Sequence, residues 1–333
     1  MPKPFGYRLF WLVIGIFALA GCGESTPSKI ETKPNQKGGR LPRIVTTVGM
    51  VTDIVREVVG DRGEVIGLLS EGVDPHLYKP TREDVAQLVG ADVIFYGGLM
   101  LEGRMEESFK KQRESGKVVV GVAESLDKQE LRKPPEFEGH FDPHVWMDVT
   151  LWSQCVEAVT KTMREFDSEH ADEFTARADA YKKRLQKLDE YVRQSIATIP
   201  EQQRVLVTAH DAFGYFARAY GMQVKSVQGI STESEAGVAD VNALVDFLVE
   251  QKIAAIFVES SVSEKNLQAV REGAEKRGWT VKVGGELFSD AMGAAGTYEG
   301  TYIGMIDHNA TTITRALGGQ VPEGGFRATV EKP

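Results

Sequence analysis

A stripe of apolar residues in mid-chain constrains the fold more than any other feature of this sequence. Phe174, Ala178, Tyr181, Leu185, Leu188, Val192, Ile196 and Ile199 recur at steps of three and four, the spacing that gathers side chains on one face of an α-helix. The pattern begins near Ser168 and stops before Pro200, because proline lacks the N–H a helix needs and disfavours helix in the residue ahead of it. Some 30 residues at 1.5 Å each span roughly 45 Å, longer than a small domain is wide. A helix of that length at residues 168–200 predicts a rod connecting two lobes.

On either side of the rod the periodicity alternates between strand and helix. In residues 41–167, strands are expected at Arg43–Gly49, Glu64–Leu69, Asp92–Tyr96 and Lys117–Val122. Helices are expected at Met50–Gly60, Thr81–Gly90 with Thr81 as cap, Leu101–Glu114 and Asp148–Phe166, with a proline-broken loop at Glu124–Gly139. Residues 201–333 repeat the alternation. Their strands are expected at Arg204–Thr208, Gln223–Val227, Ala255–Glu259 and Thr280–Val283, and their helices at Asp211–Tyr220, Val238–Gln251 and Ser263–Arg277. Strands separated by helices build parallel sheets, since a parallel partner is reached only through a crossover. The expected class is α/β, with two lobes, each a parallel β-sheet flanked by helices, joined by one long rigid α-helix. A chain of 333 residues suits two such domains.

Ahead of the lobes, Lys3 and Arg8 precede the apolar run Phe10–Ala20, which is too short for a comfortable membrane span. Leu19-Ala20-Gly21-Cys22 resembles the bacterial lipobox. Residues 1–22 are thus expected to be a lipoprotein signal peptide with lipidation at Cys22. Residues 23–40, rich in Ser, Thr, Pro, Lys and Gly, are expected to be a flexible tether. The mature protein would then be exported and anchored to a membrane by lipid, in the periplasm or on the outer face of the cytoplasmic membrane. The other cysteine, Cys155, shares a helical stripe with Trp152, Val156, Val159 and Met163 and is expected to be buried. A net charge of −9 argues against a nucleic-acid partner, which would call for a basic surface.

The triplet Asp-Pro-His occurs twice, at Asp74-Pro75-His76 and at Asp142-Pro143-His144. An Asp-Pro pair fixes a turn, so the imidazole that follows is aimed by stiff backbone. In open parallel sheets, ligands gather outside the carboxyl ends of the strands. Four candidate ligands fall in segments at or after such ends: His76, His144, His210 directly after RVLVT, and Asp290 in ELFSDAMG. Two come from each lobe, which would place a metal ion in the cleft between them. Three imidazoles and one carboxylate suit zinc at about 2.0–2.2 Å; manganese usually takes more oxygen and stays open as an alternative. The competing reading makes His210 a strand-end histidine capping the next helix and Asp290 an exposed loop carboxylate. His140, His170 and His308 read as exposed, capping or outer-shell histidines. Asp74, Asp142, Asp211 and Glu259 are candidates to orient the imidazoles, and spacing does not choose among them.

The segments VTAHDAFGYFARAYG, VQGISTESEAG, AIFVESSVSEKN and GGELFSDAMG, from a match running about Arg43 to Leu317, resemble the metal-binding solute-binding lipoproteins of bacterial zinc and manganese ABC transporters, the TroA-like cluster A-I family. The resemblance implies two β-α lobes joined by one long helix, with the metal between them and its ligand positions at His76, His144, His210 and Asp290. It implies a monomer that captures Zn2+ or Mn2+ as transported ligand and delivers it to an ABC transporter permease and its ATPase. Manganese-dedicated members often carry Glu at the position of His210, and zinc-dedicated members often carry a His-rich loop, which Glu124–Gly139 lacks. The implied preference is zinc, with manganese also bound. A single rod should limit hinge bending, and affinity should fall as pH drops through the ordinary histidine range near about 6.5. Two rival functions are a zinc-dependent hydrolase and a metal-stabilised surface adhesin. The hydrolase would need an open water position and a nearby base, whereas four protein ligands close this shell and neither HExxH nor HxxEH occurs. No enzyme activity is expected.

Overall fold

The computed structural model describes residues 40–137 and 139–330. The expected signal peptide with Cys22, and the tether as far as residue 39, lie outside the described residues. The first half forms β1 (Arg43–Thr46), α1 (Gly49–Val59), β2 (Glu64–Gly67), α2 (Arg82–Gly90), β3 (Val93–Tyr96), α3 (Glu106–Glu114) and β4 (Val118–Gly121), followed by α4 (Val149–Phe166) and α5 (Ala171–Ala197). Its four strands run parallel in the order β2-β1-β3-β4. Every residue of β3, the run VIFY, is buried, as a strand covered on both faces requires. Thr81 caps α2 as its position predicts. Its hydroxyl accepts the Asp84 N–H at 3.2 Å while the Asp84 carboxylate accepts the Thr81 N–H at 2.7 Å, a reciprocal capping box.

The second half forms β5 (Val205–His210), α6 (Gly214–Tyr220), β6 (Gln223–Gln228), α7 (Val238–Glu250), β7 (Ala255–Glu259), α8 (Lys265–Lys276), β8 (Lys282–Leu287) and α9 (Tyr302–Ala316). Its strands pair in parallel as β5-β6 and β7-β8, with β5 beside β7. Several boundaries differ from expectation, and three of them bear on the site. Strand β5 continues through His210, which pairs with Gln228, so this histidine ends a strand and does not follow one. Helix α6 accordingly starts at Gly214 and not at Asp211, and it closes on Gly221 at φ 70°, the left-handed conformation that glycine adopts without penalty. Strand β8 lies further along than Thr280–Val283, because Gly284 and Gly285 are inside it. A β carbon on Gly284 would sit 2.7 Å from the Phe257 ring, and one on Gly285 would sit 2.5 Å from Thr312. These glycines let β8 approach β7 and α9 closely; they do not break the strand.

All eight stripe residues from Phe174 to Ile199 are buried. Helix α5 is 27 residues long, about 40 Å, and is covered along its length. Near its middle, Tyr181 donates to Asp53 of α1 at 2.7 Å and Arg184 pairs with Glu57 at 2.8 Å. Near its end, the hydroxyls of Tyr191 and Thr311 of α9 meet at 2.8 Å. One apolar core packs against its buried face, drawing on residues from Ile44 to Phe326. A second, smaller core that includes Val207, Leu248, Ile256 and Val270 lies in the second half. Cys155 is buried in the main core, and burial alone raises its thiol far above the ordinary range. No described helix is long and apolar enough to cross a membrane.

Candidate metal centre

His76, His144, His210 and Asp290 converge, each offering a ligand atom, with these atoms all within 4.8 Å of one another. All four residues are buried. The Nε2 atoms of His76 and His144 are 3.3 Å apart, His144 Nε2 is 3.3 Å from Asp290 Oδ1, His210 Nε2 is 3.2 Å from Asp290 Oδ2, and His76 Nε2 is 4.0 Å from that same oxygen. Donors about 2.1 Å from a tetrahedral ion stand about 3.4 Å from each other. The four side chains thus hold the spacing of a coordination shell. Their angles add to this. His210 Nε2 and both Asp290 oxygens are close to partners yet make no hydrogen bond. Buried polar atoms left in that condition are costly, and a cation at their common focus would satisfy all of them.

Each ligand is set by its local structure. In both Asp-Pro-His turns the aspartate accepts the histidine N–H, at 2.8 Å from His76 to Asp74 and at 3.0 Å from His144 to Asp142. The two turns differ beyond that point. Asp142 Oδ1 also meets His144 Nδ1 at 2.8 Å, which turns Nε2 toward the centre, whereas the other oxygen of Asp74 accepts the Thr232 hydroxyl at 2.5 Å. His210, at the end of β5, has its Nδ1 2.5 Å from Glu259 Oε2. Glu259 Oε1 in turn accepts the N–H groups of Ala209 and His210 at 2.7 and 2.9 Å. Asp290 follows β8 on a segment fixed from two sides. Asn309 bonds both the N–H and the carbonyl of Phe288, at 2.9 and 2.7 Å, and the Trp146 indole donates to Ser289 O at 2.9 Å.

These surroundings separate the three imidazoles electrostatically. Burial dominates at His76 and pushes its pKa down to about 3, so the ring is neutral. At His144 burial also lowers the value, but the hydrogen bond to Asp142 and the nearby charges of Asp142 and Asp290 prevail and raise it to about 9. His210 is raised well above 6.5 for the same reason, with Glu259 and Asp290 outweighing burial. Burial would raise Asp290, yet His210 and His144 hold it well below the ordinary carboxylate range.

Of the four carboxylates considered as orienting groups, Asp142 bonds its ring, Asp74 holds backbone, and Glu259 holds backbone through Oε1 while Oε2 lies against His210 Nδ1 without a hydrogen bond. Asp211 does neither, and its Oδ1 has no hydrogen-bond partner. His210 faces the cluster instead of capping α6, and Asp290 is buried instead of exposed. The remaining histidines stay out of the cluster: His140 is exposed, His170 Nδ1 meets Asp167 at 2.8 Å, and His308 Nε2 meets Glu286 O at 2.9 Å. Arg132, Trp146, Tyr215, Thr232 and Asn309 all support the site, and nothing local in the sequence assigns them to it. Trp146, Tyr215, Thr232 and Asn309 act through partners 21 to 158 positions away, and Arg132 through Asp142, 10 positions on.

A sequence model of the family described as zinc-uptake complex component A, periplasmic, matches residues 44–316. The chain is 50% identical over 276 residues to the zinc-binding protein TroA of Treponema pallidum (strain Nichols), covering 83% of this chain and 89% of that protein. It is 46% identical over 307 residues to the manganese-binding lipoprotein MntA of Bacillus subtilis (strain 168), covering 92% of this chain and 97% of that one. The solved structure of the periplasmic zinc-binding protein TroA from Treponema pallidum matches with a TM-score of 0.81 and 49% identity, over 84% of this chain and 99% of that structure. The chain therefore belongs to the zinc-uptake complex component A family of periplasmic solute-binding proteins, in its TroA-like cluster A-I.

Proposed function

We propose that this protein is the metal-capturing component of an ABC importer, binding Zn2+ or Mn2+ through His76, His144, His210 and Asp290 and handing it to a membrane permease coupled to an ATPase. The observation that carries this reading is the set of four buried donors at coordination-shell spacing, several of them without hydrogen bonds. Three nitrogens and one carboxylate favour zinc. Because Asp290 Oδ1 faces His144 and Oδ2 faces His210, the shell can supply four or five donors, which also admits manganese. The names of the two relatives, one zinc-binding and one manganese-binding, are in keeping with that pair of ions. Four protein donors leave no dedicated position for an attacking water, so the protein acts as a carrier and not as a hydrolase.

In this reading residues 41–167 and 201–333 act as two lobes about the helix at 168–200. The signal peptide at 1–22 delivers the chain across the membrane, Cys22 carries the lipid, and 23–40 tether the monomer in the periplasm or on the outer face of the cytoplasmic membrane. The test is elemental analysis of the purified chain, followed by competitive zinc and manganese titrations of wild type and Asp290→Ala. One ion per chain, with a large loss of affinity in the variant, is expected. Metal binding that is unchanged by Asp290→Ala would reject the site.

A further inference from the structure

We infer that Arg132 is a positioning residue for metal capture: it clamps Asp142, and through Asp142 it fixes how His144 is presented, by a passage that Gly214 keeps open. This rests on the metal-carrier reading above. Asp142 is fully buried, and a carboxylate removed from water needs its oxygens matched by partners. One oxygen holds the backbone N–H and ring of His144 at 3.0 and 2.8 Å. The other is taken by the Arg132 guanidinium. The cation thereby sets the rotation of the carboxylate that aims the ring.

The clamp is built at backbone level as well. Asp142 N–H donates to Arg132 O at 3.0 Å. The Tyr215 hydroxyl donates to Asp142 O at 2.9 Å and accepts the Arg132 N–H at 3.0 Å. Arg132 reaches Asp142 past the first residue of α6, where any β carbon on Gly214 would fall inside the guanidinium. Gly214 lies four residues beyond His210. The clamp therefore ties the turn of His144, in the first half, to the segment that follows His210, in the second. It sets the relation between two imidazoles that no single element carries. Glu259, the counterpart at His210, is held by two backbone N–H groups.

The sign of the effect separates positioning from simple charge. Removing a positive group near a bound cation would by itself tighten binding, so weaker binding is diagnostic of lost positioning. Arg218 supplies the control. It lies over the Tyr215 ring at 4.9 Å and donates to Glu130 O at 2.7 Å, anchoring the same loop without touching Asp142.

Zinc affinity by chelator competition and the visible spectrum of the Co2+-loaded form should be measured on the full chain and its variants. Arg132→Gln and Gly214→Ala are each expected to bind zinc about 10- to 100-fold more weakly, as loss of a group behind a ligand typically does, with an altered Co2+ spectrum. Arg132→Lys should recover part of the loss, and Arg218→Gln should stay near wild type. Zinc binding by Arg132→Gln and Gly214→Ala as tight as wild type, with an unchanged Co2+ spectrum, overturns the inference. So does an equal loss in Arg218→Gln. If Arg132→Gln does not fold by circular dichroism, Gly214→Ala and Arg132→Lys decide by the same readouts. A wild-type chain that takes up no zinc would instead reject the metal-carrier reading itself.

Discussion

Metal uptake by this site should be an exchange of one divalent ion for two protons. In the metal-free protein His144, with a pKa of about 9, and His210, raised well above 6.5, both carry a proton at pH 7, whereas His76, at about 3, carries none. The contacts match these states, because neutral His76 Nε2 can accept from His144 Nε2 at 3.3 Å. Two imidazolium charges then hold the place that a divalent ion takes, and the buried charge is the same before and after. Each displaced proton contributes a factor of about ten in apparent affinity per pH unit, so two give about 100-fold, or about 2.7 kcal/mol per unit. The dependence should persist through pH 7 to 8, above the range near 6.5 that ordinary histidines suggest. Calorimetric zinc titrations at pH 7.5, in buffers of different ionisation enthalpy, count the protons released. About two per ion is expected. A count near zero, with affinity flat from pH 7 to 8, would refute the assignment of protons to His144 and His210.

The same shifts bear on stability. The raised value at His144, from 6.5 to about 9, contributes stability that is fully present below its unfolded value and lost as pH rises through about 9. Thermal melts should therefore show the metal-free chain weakening between pH 6.5 and 9.5 more than the zinc-loaded chain. Thr232→Val removes the hydroxyl that holds Asp74; a hydrogen bond to a charged group is worth about 1.5–3 kcal/mol, so stopped-flow release to a chelator should quicken roughly 10-fold or more. Leu188→Ala opens a cavity in the fully buried face of α5 at about 2–5 kcal/mol. Denaturant melts of the metal-free form should record that loss; a change under 1 kcal/mol would contradict the packing described for α5.

The three histidine ligands are legible in the sequence because each lies beside a stiff local feature, whereas Asp290 sits on a segment held by the distant Asn309 and Trp146. His76 and His144 follow Asp-Pro pairs, and His210 ends an apolar strand. The difference between Asp74 and Asp142 was not legible. Both sit two residues ahead of a histidine in the same triplet, and the partners of their second oxygens separate them: Thr232, 158 positions from Asp74, and Arg132, 10 positions from Asp142. The central helix could be read from its stripe, since a 3.6-residue period shows along one segment. Strand β8 was misplaced because Gly284 and Gly285 resemble a break until the Phe257 and Thr312 side chains that need their missing β carbons are in view. The proton states of the imidazoles also depend on distant groups, chiefly Glu259 and Asp290, which no spacing rule links to His210.

The claim that four side chains from both halves of the chain close on one ion is tested most directly by zinc K-edge X-ray absorption of the metal-loaded protein. Three imidazole nitrogens with one or two carboxylate oxygens at about 2.0–2.2 Å are predicted, and one imidazole should disappear from the shell in His210→Ala. A shell containing sulfur, one made only of oxygen, or a spectrum unaffected by His210→Ala would contradict it.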